Sequence, residues 1–150
     1  MKKYSTPALT TEIIEDINEP IYMECSGATL FDFPGDGWTH QRPEQGRWNF
    51  AEQTNGEYHG PEIKHNVTTY AYVHFNVPVN VVEWHDSFTT YDDPSGKNYI
   101  VGSRTWSGLN PNEGIGLGAL YVVPEDSTYT GDIWITGITM TLSFNPNGCN

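Results

Sequence analysis

Aromatic side chains are the residues of this chain best suited to chemistry: Trp38, Trp48, Tyr70, Tyr72, Trp84, Tyr91, Trp106 and Trp134. The chemistry they offer is stacking. An aromatic face packs on the C–H-rich patches of a sugar ring, while the phenol O–H or indole N–H at its edge pairs with a hydroxyl. Such a ring, left exposed, binds while adding little to the fold. Trp38, in a loop between Gly37 and Thr39, is the leading candidate. Trp106, at a strand end beside Ser107 and Gly108, Tyr70 and Tyr72 in line on one strand, and Trp48 complete the expected ligand-binding set. Trp84 follows Val81 and Val82 and reads as core.

Other chemistry is weakly written. His40, His59, His65, His74 and His85 show no His-x-His or His-x3-His spacing on a predicted element. His85 and Asp86 read as a solvated turn. Asp92, Asp93, Asp126 and Asp132 border loops, where carboxylate oxygens suit a structural Ca²⁺, yet no EF-hand spacing accompanies them, so no cofactor is expected. Glu83, Asp86, Glu113 and Glu125 are acids that could in principle form a glycosidase acid/base pair, but no spacing predicts it. Gly-x-Ser-x-Gly, a phosphate loop and a Cys/His nucleophile pattern are all missing from the sequence. The expectation is a non-catalytic protein.

The elements that must position these rings are strands. Residues 67–77 alternate, with Val67, Thr69, Ala71, Val73, Phe75 and Val77 on one face. Thr68, Tyr70, Tyr72, His74 and Asn76 lie on the other. Period-2 patterning marks a strand with one buried and one wetter face. Residues 80–123 carry a strand-like run ending on Trp84, a turn at Asp92-Asp93-Pro94-Ser95-Gly96, a strand over 97–106, a loop over 107–114 and a strand over 115–123. In residues 131–144, Trp134, Thr136, Ile138, Met140, Leu142 and Phe144 point one way, and Ile133, Ile135, Thr139, Thr141 and Ser143 the other. Residues 28–60 read as short strands, over 29–33 and 47–53, between long Pro/Gly-rich loops.

Composition agrees with an all-β protein: 15 Gly and 10 Pro, 13% aromatic and 17% charged residues in 150. That length is one domain's worth. Nineteen acids against seven basic residues leave a net charge of −12. Such a surface repels nucleic acid and anionic membranes, both of which need positive charge. It suits a secreted protein or a binder of neutral ligands.

Trp84, Tyr99-Ile100-Val101, Trp106, the Leu109-Asn110-Pro111 loop and Ile115-Gly116-Leu117-Gly118 stand in an order that resembles the C-terminal half of a family 2 carbohydrate-binding module. Ala71 to Phe75 resembles that family's preceding inner strand, so the likeness spans roughly residues 67–123. It implies an antiparallel two-sheet β-sandwich (immunoglobulin-like or jelly-roll-type) over residues 28–150. It also implies binding of a polysaccharide or glycan through exposed aromatics. A strand after residue 131 departs from the family pattern. The alternative is a secreted structural or adhesive subunit, a homo-oligomer or filament built through residues 1–27 or an open sheet edge.

Residues 1–27 form an irregular acidic segment. Lys2 and Lys3 are not followed by the apolar run of a Sec signal, and the segment resembles the leader of a bacterial peptide precursor cut near Ser26-Gly27. That implies secretion by a non-Sec-like route. The sequon Asn66-Val67-Thr68 carries no weight in such a host. Family 2 modules often join their two ends through a disulfide, which here implies a Cys25–Cys149 bridge. Closing so long a loop is worth about 4–5 kcal/mol in the chain-entropy model. Two free thiols are the alternative, and cleavage after Gly27 would remove Cys25 altogether.

Overall fold

The computed structural model describes residues 30–33, 43–44, 46–50 and 55–142. Every named element among them is a strand: β1 (Phe31–Asp32), β2 (Pro43–Glu44), β3 (Arg47–Asn49), β4 (Asn55–Tyr58), β5 (Val67–Phe75), β6 (Val79–His85), β7 (Thr89–Asp92), β8 (Tyr99–Trp106), β9 (Gly114–Gly116), β10 (Ala119–Pro124) and β11 (Ile135–Leu142). They form three antiparallel sheets where the sequence suggested two. The orders are β9-β4-β1, β2-β3-β10-β6 and β11-β5-β8-β7. The fold is all-β. The expected leader, the disulfide cysteines and Trp38 lie outside the described residues.

β5 follows its alternation without a break, buried at Val67, Thr69, Ala71, Val73 and Phe75 and half-exposed between them. Its one buried hydroxyl is satisfied: Thr69 Oγ1 donates to the Arg104 carbonyl at 3.3 Å and accepts the Trp106 indole N–H at 2.9 Å.

The two four-stranded sheets meet at Trp84. Its ring fills the place a Cβ on Gly102 of β8 would occupy, 2.4 Å from Trp84 Cη2, so only glycine leaves room there. The indole N–H donates to the Leu117 carbonyl at 2.8 Å. Phe88 stacks on Trp84 at 6.4 Å and meets Trp106 edge-on at 6.5 Å, extending one apolar row through the core.

Three local readings are corrected by backbone geometry. The single strand expected over 115–123 is two, β9 and β10, in different sheets. Gly118 parts them at φ +84°, where an added Cβ would lie 2.4 Å from the His85 carbonyl oxygen. The last strand changes face part-way. A bulge between Ile135 and Gly137 slips its register against β5, so Ile133 and Ile135 share the buried side with Met140 and Leu142, while Trp134 turns outward. Finally, β7 is a short strand ahead of the 92–96 turn, additional to the strands expected from the sequence.

Candidate functional site

The outer face of β5 is where the ring-bearing residues gather. Antiparallel register sets Tyr70 opposite Ser103, Tyr72 opposite Val101 and His74 opposite Tyr99 on β8. On the other side, β11 places Thr141, Thr139 and Gly137 against the same three residues. Side chains facing one another across a ladder lie close enough to touch. Tyr72 and His74 both pack on Tyr99, with ring centroids 6.1 and 5.7 Å apart. A second bulge, between Thr90 and Asp92, interrupts the pairing of β7 at Tyr91. The Tyr91 ring meets Tyr70 edge-on at 5.0 Å and stays 42% exposed.

Trp134 prolongs the row. Its backbone N–H donates to Asn76 Oδ1 at 2.8 Å, and the Asn76 N–H donates to the Trp134 carbonyl at 3.2 Å. This locks Trp134 beside the C-terminal end of β5, with 40% of its surface exposed. From Tyr70 to His74 alone the row runs about 13 Å, at the usual rise of a strand.

The face is polar and nearly uncharged. Thr68 and Thr105 share a hydroxyl–hydroxyl hydrogen bond of 2.8 Å, and Ser103, Thr89 and Thr139 stand around the rings. The positions that β5, β8 and β11 give to this face include no Asp, Glu, Lys or Arg; Asp92 of the edge strand β7 borders it. Burial pushes the Tyr70 phenol up, with Tyr91 adding to the effect, so its hydroxyl stays protonated as a hydrogen-bond donor. Burial also pulls the His74 imidazole below its ordinary 6.5, which keeps the ring neutral at physiological pH.

The histidines yield a pH prediction. His85 is raised, first by its hydrogen bond to Asp86, and His74 is lowered by burial. Their ring signals in an NMR titration should therefore have midpoints on opposite sides of 6.5. The sign for stability follows: a depressed His74 opposes folding once the pH falls below 6.5, because the unfolded chain then binds the proton more readily. A His74 midpoint at or above that of His85 would contradict the described burial.

Two expected site residues lie off this face. Trp106 is buried, 6% exposed, because it pairs with Val67 on the core side of the sheet. Its indole N–H is taken by Thr69, and the Arg104 guanidinium covers its ring at 3.7 Å. The signal was present, since Trp106 shares the parity of Ile100 and Gly102. Trp48 is likewise buried on the core side of β3 and takes no part in the tyrosine face. Tyr70 and Tyr72 lie on the face as expected. His74 lies there too, as the alternation of β5 requires; Tyr99, Tyr91 and Trp134 join them through strand pairing and bulges, which only the sheet register could have shown.

Glu83 and Asp86 do not form a two-carboxylate centre, because His85 stands between them. Its Nε2 is 3.1 Å from Glu83 and its Nδ1 3.2 Å from Asp86. Arg47, whose guanidinium lies 4.2 Å over Tyr121, bonds Glu83 at 2.5 Å and holds its carboxyl below the usual range. Asp126 caps its own turn through Thr128. Among the described residues no group of three or more His, Cys, Asp or Glu is gathered to hold a metal ion. Comparison of the chain with protein-family models, curated proteins and solved structures finds no match.

Proposed function

We propose that this is a secreted, non-catalytic carbohydrate-binding domain whose platform is the Tyr70–Tyr72–His74–Tyr91–Tyr99 face. The observation that carries the reading is the meeting of five aromatic side chains on one outer sheet face, with threonine and serine hydroxyls among them. Sugar C–H patches stack on such rings, and the hydroxyls between them pair with sugar hydroxyls. A neutral polysaccharide suits a −12 chain best. In this reading the two four-stranded sheets are the layers of the family 2-like sandwich, with Trp84 and its neighbours between them. The ligand-facing role passes from the family's tryptophans to tyrosines.

Chemical-shift mapping of the labelled protein tests the reading. Soluble β-1,4-gluco- or xylo-oligosaccharides should move backbone amides of β5 and β8 around Tyr70, Tyr72 and Tyr99, insensitively to salt, because no ionic contact is involved. Shifts confined to other sheets would defeat it.

One observation favours the assembly reading. β11 is eight residues long, rich in Ile and Thr, and among the described residues pairs on one side only, with β5. An edge of that length invites a partner strand. Ordered oligomers formed without any response to glycans would select that reading.

A further inference from the structure

Away from the tyrosine face, the β2–β3 hairpin and the loop after β10 enclose a cleft of about 420 Å³. Trp48, Pro43 and Pro124 form its apolar walls, and Ser127, Thr130 and Tyr129 bring hydroxyls. Among the described residues no Asp, Glu, Lys or Arg lines it. Past Pro124 and Tyr129 lies a second recess of about 150 Å³, edged by Glu125 and Asp126. Ligand sites of this kind are concave, mostly apolar and aromatic, with a few placed polar groups, and run from roughly 300 Å³ upward.

The polar groups differ in what they have left to give. The Tyr129 hydroxyl donates to the Asp132 carbonyl at 2.8 Å and accepts from Asn76 Nδ2 at 3.4 Å, so it braces the wall. Trp48 is 5% exposed and is one of the residues lining the cleft. Ser127 and Thr130 are exposed at the rim.

We propose that this cleft is a second ligand site, taking a small neutral saccharide of one or two rings. The Trp48 indole N–H and the Ser127 and Thr130 hydroxyls serve as hydrogen-bonding partners, and the proline and aromatic walls pack on the sugar's C–H faces. The acids at the neighbouring recess disfavour a carboxylate-bearing sugar. A polyproline segment, the other usual guest of a Trp/Tyr groove, needs indole and phenol donors for its carbonyls. Here the phenol is already committed to Asp132. The site is independent of the tyrosine face, and neither reading rests on the other.

The test is a titration of the full-length labelled protein, following the Trp48 indole N–H signal, which is assigned by its disappearance in Trp48→Phe. Cellobiose or xylobiose should shift that signal with millimolar affinity, and glucuronate should shift it more weakly. Ser127→Trp, at an exposed rim position, should weaken the response at least tenfold while leaving the melting temperature unchanged. Tyr72→Ala should leave the Trp48 response intact. The proposal is overturned if no neutral sugar moves the signal, if only a proline-rich peptide does, or if Tyr72→Ala abolishes the shift while Ser127→Trp does not. Shifts at Trp48 without shifts on β5 and β8 would sink the tyrosine-face reading alone.

Discussion

Trp84→Ala should lower the unfolding free energy by about 3–5 kcal/mol, the range for truncating a buried tryptophan. The cost has three sources at this position. The ring is 6% exposed and packs on Phe88, so its contacts vanish with it. The Leu117 carbonyl loses its indole donor, and an unsatisfied buried acceptor costs about 1–3 kcal/mol. The facing residue is Gly102, which has no side chain to relax into the space. Denaturant unfolding of the wild type and the variant measures the difference, and a loss under about 1 kcal/mol would contradict this packing. Trp106 belongs to the same row, so any loss of binding in Trp106→Ala should track unfolding and not contact with a ligand.

Much of this was legible in the sequence, and the failures share a cause. The strict alternation of 67–77 fixes both faces of β5, and with them the outward placement of Tyr70 and Tyr72. The Val81-Val82 run marks Trp84 as core. What could not be read is non-local. Tyr99 and Tyr91 reach the same face through pairing and a bulge. Trp134 turns outward because a bulge at Ile135 to Gly137 moves it off the face that simple alternation assigns, a shift worth one residue and every side chain beyond it. Trp106 misled because a strand end beside Ser-Gly reads as exposed, although its parity with Ile100 places it inside. Trp48, expected to bind, is buried on its strand yet borders a cleft formed by a loop some eighty residues away. Proximity of that kind leaves no local trace in a sequence.

Tyr72→Ala is the second large expected effect, and it is a loss of binding. Tyr72 stands mid-row, flanked through Tyr99 by His74, and any extended glycan crossing the face must pass it. Removing one stacked ring and its hydroxyl should weaken retention at least tenfold, the equivalent of about 1.4 kcal/mol. Stability should hardly change. The ring is half-exposed, and the core side of β5 at Ala71 and Val73 is untouched. The contrast with Trp84 separates platform from scaffold: one variant unfolds more easily, and the other folds normally without binding.

The most direct measurement is a paired depletion isotherm on insoluble cellulose and xylan for the wild type and Tyr72→Ala, with both melting temperatures recorded. The tyrosine-face account predicts salt-insensitive retention of the wild type on at least one polymer. It also predicts at least tenfold weaker retention of Tyr72→Ala at an unchanged melting temperature. A wild type that ignores both polymers, or a Tyr72→Ala variant retained as well as the wild type, would contradict it.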